Sequence, residues 1–198
     1  MNTHARDLES DRTTHAANGL VRRRWTLSEI ERMVSAGIVH EDERIELIDG
    51  EVVAMSPKGR RHEIVRHELA FRWTRQCPDT TRLAVEPVLR LDEHNNPEPD
   101  ILLYPAHLVA PDVRGDTALL VVEVSDTSLS YDLTIKAPLY AAFNVREYWV
   151  IDAKTLATTV HREPGPGGYA SVREVGPDQR IEPVTVPGLG LRLADLKI

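Results

Sequence analysis

Pro99-Asp100, just ahead of the apolar run Ile101-Leu102-Leu103-Tyr104, and Glu123, closing a second apolar run from Ala118 to Val122, place two carboxylates where the hydrophobic pattern predicts buried strands. Runs of Leu, Ile and Val this short read as strands covered on both faces. An ionised side chain there is strongly disfavoured unless a cation meets it. Sequential strands often pair side by side, and if these two are antiparallel, Asp100 and Glu123 arrive at the same end of the sheet. At a separation of about 4 Å and an effective dielectric of about 20, they repel by an energy on the order of 4 kcal/mol. A divalent cation, a shared proton or a lysine would relieve that repulsion. Carboxylate oxygens are hard ligands that suit Mg²⁺ or Mn²⁺, so the chemistry to expect is metal-assisted activation of a water.

The elements that must position these acids can be read on either side of them. Thr26-Leu27-Ser28-Glu29 is a capping box that opens a helix with Leu27, Ile30, Met33 and Val34 on one face, and Gly37 is a natural stop. Residues 44–48 and 51–55 flank Asp49-Gly50, a dipeptide favoured in two-residue hairpin turns. Pairing outward from that turn sets Glu46 and Glu51 on one face of the hairpin and Ile45, Leu47, Val52 and Ala54 on the other. This makes Glu46 the natural third acid, with Glu51 a weaker candidate beside the turn. Val65, Leu69 and Trp73 predict a second helix over residues 60–76, ended by Cys77-Pro78. Residues 82–91 read as a strand. Ile135, Leu139, Ala142 and Phe143 predict a helix from Asp132 that carries Lys136 in its first turns, with Asp132 as its cap. Residues 147–151, 156–162 and 169–175 read as further strands.

Composition bounds the rest. With 198 residues, 41% hydrophobic and 28% charged, the chain is ordinary for a globular protein. Residues 1–22 lack hydrophobic periodicity and read as a flexible tail, and residues 23–198 as one domain. No apolar run approaches the roughly 18 residues of a membrane span, and the first residues lack the apolar core of a secretory signal. A cytoplasmic protein without a membrane partner is expected. Cys77 is the single cysteine, so neither a disulfide framework nor a thiolate zinc site is expected. A net charge of −7 argues against a broad electrostatic grip on nucleic acid and leaves only local contacts. Lys58, Arg60, Arg61 and His62 cluster where the second helix begins, and a helix N-terminus already favours phosphate.

Taken in order, Glu46-Leu47-Ile48-Asp49-Gly50-Glu51-Val52-Val53, Met55-Ser56-Pro57, His62, Pro99-Asp100, Val121-Val122-Glu123-Val124-Ser125, Tyr131-Asp132, Lys136, Leu139-Tyr140-Ala141 and Glu147-Tyr148-Trp149-Val150-Ile151-Asp152 form a series that resembles the PD-(D/E)XK nuclease superfamily. Within it, the series is similar to the Uma-type putative restriction endonuclease family. The resemblance implies an α/β fold with a restriction-endonuclease-like core, a mixed central sheet flanked by helices, and additional β-hairpins. It also implies cleavage of DNA phosphodiesters with Mg²⁺ or Mn²⁺, for which Asp100, Glu123 and Glu46 are the expected metal ligands and Lys136 the assisting amine; the cluster of Lys58, Arg60, Arg61 and His62 at the helix start is expected to hold the nucleic-acid backbone. One departure stands out. The superfamily pattern has lysine two positions after the second acid, where this chain has Ser125, and Lys136 matches the variant in which the following helix supplies the amine. A catalytically idle module that binds DNA or a protein partner is the competing expectation, motivated by the net acidity and by Ser125. Cutting both strands needs two sites, so a homodimer is a further expectation.

Overall fold

The computed structural model describes residues 22–198, so the tail expected over residues 1–22 lies, apart from Arg22, outside the described residues. The first described helix, α1 (Leu27–Ser35), has the expected capping box: Thr26 and Glu29 exchange side-chain and backbone bonds. Replacing Thr26 with Ala should cost about 1 kcal/mol, read as a lowered urea midpoint with an unchanged slope.

The hairpin follows as β1 (Ile45–Ile48) and β2 (Glu51–Ala54), in the register counted from the sequence, with Glu46 opposite Val53 and Ile48 opposite Glu51. Both central turn residues have positive φ, Asp49 at 52° and Gly50 at 75°, as a two-residue turn of this kind requires. Gly50 is also needed for space, since a Cβ there would come within 2.6 Å of Arg24 Cβ.

The long helix α2 (Arg60–Gln76) buries Val65, Leu69 and Trp73 completely and ends at Cys77, ahead of Pro78. Next comes a six-stranded sheet of β3 (Thr81–Val85), β4 (Ile101–Pro105), β5 (Leu120–Ser125), β6 (Glu147–Asp152), β7 (Thr158–Gly165) and β8 (Gly168–Val175), in that spatial order. Only the β5–β6 pair is parallel, so the sheet is mixed. The strand expected over residues 82–91 stops at Val85. Glu86 sits in the left-handed region at φ 51°, and Pro87 after it has no N–H to donate, so the ladder cannot continue.

Residues alternate across the central strands as strands covered on both faces require. Ile101, Leu103, Val122 and Trp149 join Leu69 and Trp73 of α2 in one core layer. Leu102, Val121, Tyr148 and Val150 pack on the opposite face with Ala137 and Tyr140. The segment between β5 and β6 is helical in three parts: one turn, α3 (Leu129–Tyr131), a π-helical turn over Asp132–Lys136, and α4 (Ala137–Ala142). Pro138 falls in the first turn of α4, where its missing N–H does no harm. Ser128, rather than Asp132, stands at the N-terminal boundary of this segment. Among the described residues, no helix is long and apolar enough to cross a membrane.

Candidate active site

Strand pairing alone brings the first two acids together. β4 and β5 run antiparallel with Ile101 opposite Val122, which sets Asp100 level with Glu123 at the end of their shared ladder. Asp100 is fixed at both oxygens: Lys58 Nζ donates to Oδ1 at 3.1 Å, the Val124 N–H donates to Oδ2 at 2.8 Å, and His62 Nε2 lies 3.0 Å from the carboxylate. Glu123 accepts from Lys136 Nζ at 2.9 Å and from the Tyr140 hydroxyl at 3.3 Å, both at Oε1. Glu46 reaches the same ammonium from the hairpin. Its Oε1 accepts from Lys136 Nζ at 2.7 Å and from the Glu98 N–H at 2.8 Å, so Oε2 of both glutamates lies outside these bonds.

Strand β1 is covered on both faces: Glu46, toward the cleft, is 4% exposed and Leu47, on the apolar face, is 5% exposed, while Val52 of β2 is 44% exposed. Glu51 stays away from the cluster and pairs with Arg22. Ser125 occupies the position where a lysine was absent from the sequence pattern, and its hydroxyl donates to Asp132 at 2.7 Å. The amine comes instead from the π-helical turn. That turn puts Asp132 and Lys136 on one buried face, with Nζ 4.0 Å from the Asp132 carboxylate.

These groups line one cleft of about 310 Å³, with Glu46, Asp100, Glu123 and Asp132 facing Lys58 and Lys136. The charge is unbalanced, and the titration shifts follow from that. Burial drives the Glu123 carboxyl well above the ordinary glutamate range; Lys136 opposes this, while Asp132, Asp100 and Glu46 reinforce it. Asp132 is also raised, chiefly by burial. For Asp100, burial alone would push upward, but the hydrogen bond and charge of His62, with Lys58 and the Val124 N–H, hold the carboxyl below its usual value. Burial would weaken the Lys136 ammonium, yet Glu123, Glu46 and Asp132 outweigh it and keep the amine protonated far above neutrality. Lys136 is thus a fixed cation here, able to orient a water or neutralise an anion rather than to remove a proton. The cluster as a whole competes for further positive charge.

The basic residues expected at the start of α2 divide. Lys58 and His62 turn inward onto Asp100. Arg60 is exposed, and Arg61 donates to the Ala153 carbonyl at 2.6 Å, which ties α2 to the end of β6. Two residues of the cleft carried no chemical role in the sequence reading. Asp132, expected as a cap, lies in the cleft instead, and its i, i+4 spacing from Lys136 is the signal that the two share a face. Tyr131 lines the cleft, and its hydroxyl is buried and without a hydrogen-bond partner among the described residues. Tyr148 and Trp149 are packing residues, both fully buried.

The donor set fits a hard divalent cation by its chemistry: oxygen ligands only, in excess of the surrounding positive charge. Yet among the described residues no three acidic, His or Cys side chains are gathered closely enough to form a coordination shell, because the Lys136 ammonium stands between Glu46 and Glu123.

The model of the Uma2 family, described as "Putative restriction endonuclease", matches residues 27–194 of the chain. Among solved structures, a crystal structure of a putative nuclease belonging to DUF820 from Anabaena variabilis is similar in fold. It has a TM-score of 0.69 and 16% sequence identity, over 86% of this chain and 96% of that one. No curated protein matches.

Proposed function

Because this chain belongs to the Uma2 family of putative restriction endonucleases, we propose that it is a metal-dependent endonuclease that hydrolyses DNA phosphodiester bonds. Asp100, Glu123 and Glu46 would hold Mg²⁺ or Mn²⁺, with Lys136 alongside. The observation that carries this reading is the convergence of Glu46 from the hairpin, Asp100 from the start of β4, Glu123 from β5 and Lys136 from the π-helical turn on one cleft whose negative charge exceeds its positive charge. When bound, such an ion supplies Lewis acidity and lowers the pKa of a water that attacks phosphorus.

The chain's own groups do the rest. His62, Lys58 and the Val124 N–H hold the Asp100 carboxylate ionised and fixed in orientation. The Lys136 ammonium, placed by three carboxylates, is positioned to donate to a phosphate oxygen as negative charge develops there. The Tyr131 hydroxyl, buried in a residue of the same cleft, is a donor that no described group uses.

A second reading has its own support. Lys136 already occupies the space between Glu46 and Glu123, which suits an idle module of the same fold that binds DNA or a protein partner without cutting.

Supercoiled plasmid separates the two. With Mn²⁺ or Mg²⁺ the protein should convert it to nicked and linear forms, and chelation with EDTA should stop the conversion. Plasmid left intact under both metals rules out the hydrolase. Parallel incubations with RNA and with a small aryl phosphodiester establish whether DNA is the preferred substrate; equal or faster turnover of the small diester would contradict the DNA assignment.

A further inference from the structure

At the edge of the cleft, three cations, of which Lys58 also holds Asp100, converge on a single carboxylate oxygen. Lys58 Nζ and Arg66 both pair with Glu86 Oε1, and Arg44 lies 3.8 Å from the same atom. Glu86 is held there by its backbone rather than by preference. It adopts φ 51°, a conformation that non-glycine residues rarely take, and its N–H donates to the Asp100 carbonyl at 3.1 Å. The arrangement is that of an anion site occupied by a side chain. One oxygen is surrounded by an ammonium and two guanidinium groups, which together carry far more donors than one carboxylate can use.

Each cation also has a second acidic partner. Arg44 bonds Glu98 at 3.2 Å, Lys58 bonds Asp100 at 3.1 Å and Arg66 bonds Glu63 at 2.5 Å. Withdrawal of Glu86 would therefore leave none of the three without a counter-charge, and another anion could take its place at small cost. The side chain of Glu86 is 31% exposed and that of Arg44 is 40% exposed, so the site opens to solvent on one side, while Lys58 connects it directly to Asp100.

The geometry points to Glu86 as a phosphate-mimicking latch: Arg44, Lys58 and Arg66 form a cradle for a backbone phosphate of a nucleic-acid strand lying beside Asp100, and in the free protein the Glu86 carboxylate fills it. This rests on the reading that the cleft receives nucleic acid, and it adds a binding subsite and an internal competitor for it. Guanidinium groups pair well with both carboxylate and phosphate, so the exchange replaces one charge-assisted contact with another of the same type. The latch then works against loose electrostatic binding and is displaced only when neighbouring phosphates are bound as well.

The test is equilibrium binding of a short labelled DNA duplex by fluorescence anisotropy in EDTA, where cleavage does not enter, over about 50 to 200 mM NaCl. Glu86→Gln should tighten binding by about tenfold and steepen the dependence of log K on log [NaCl] by about one unit. Arg66→Gln should weaken binding by a similar factor. Glu174→Gln, an exposed site on β8, makes the same change in net charge and should alter neither value.

Binding by Glu86→Gln that is unchanged or weaker in a folded protein, or tightened equally by Glu174→Gln, overturns the latch. If Glu86→Gln does not fold, Arg66→Gln and Arg44→Gln decide: both must weaken binding, and no change in either overturns the cradle. Failure of the latch is distinct from failure of the hydrolase. A protein that cuts plasmid but whose Glu86→Gln form binds no tighter loses only the latch. A protein that never cuts but whose Glu86→Gln form binds tighter keeps the latch and loses the hydrolase.

Discussion

Asp100→Asn is expected to reduce metal-dependent plasmid nicking at least about a hundredfold while the protein stays folded. The amide keeps an acceptor for the Val124 N–H, so the local backbone bond survives. What disappears is a carboxylate that, against the effect of burial, His62 and Lys58 hold below its usual titration range. Losing a ligand should cost at least as much as losing its supporting hydrogen bonds, which alone commonly cost about 10- to 100-fold. Initial rates of conversion from supercoiled to nicked plasmid measure the effect, with circular dichroism melting as the control for folding. A variant that nicks at the wild-type rate would remove Asp100 from the chemistry.

Lys136→Met should show its effect on stability first and on activity second. The side chain is 5% exposed and bridges Glu46 and Glu123, so its removal leaves two buried carboxylates without their shared cation. Breaking a buried pair from one side costs about 3–5 kcal/mol, which in a chain of this size is a fall in Tm of about 10 °C. The signature lies in what Mn²⁺ does next. If the carboxylates accept a divalent ion, the metal should raise the Tm of Lys136→Met by more than it raises that of the wild type, because an ion bound only by the folded state stabilises it by mass action, about 2.7 kcal/mol at a hundred times its Kd. If Mn²⁺ raises the Tm of neither protein, Glu46 and Glu123 do not bind the ion.

The residues that make up the site were legible in the sequence to the extent that their chemistry conflicted with their surroundings. Asp100 and Glu123 stood out because strands buried on both faces leave no solvent for a carboxylate, and the antiparallel β4–β5 register brings them level as expected. The Asp49-Gly50 turn fixed the hairpin register and, through it, which side Glu46 would share. It did not reveal that the acidic face would be covered as well, since a pattern of one acidic and one apolar face normally buries only the apolar one. Here Leu47 is buried on the apolar face, and a lysine ninety residues away allows Glu46 to be buried on the other.

Three features had little or no local signal. The π-helical turn depends on one extra residue per turn in an otherwise helical run, which a 3.6-residue period does not register. The break at Glu86 occurs within residues whose composition reads as a continuous strand, and only Pro87 hinted at it. The cluster at the start of α2 was legible as basic, but not the division between inward-facing Lys58 and outward-facing Arg60, because chain geometry at a helix entrance, not residue type, decides where each side chain points.

The bond between Lys136 and Glu46 spans ninety positions, and β4 and β5 with their acids lie between its ends. During synthesis, then, the ribosome must deliver the chain through Lys136, ninety residues beyond Glu46, before acids and amine can meet. A nascent or partly unfolded copy holds the ingredients on separate stretches with nothing to bring them into register. For a protein whose proposed target is the same polymer that stores its own gene, such late assembly keeps immature copies harmless.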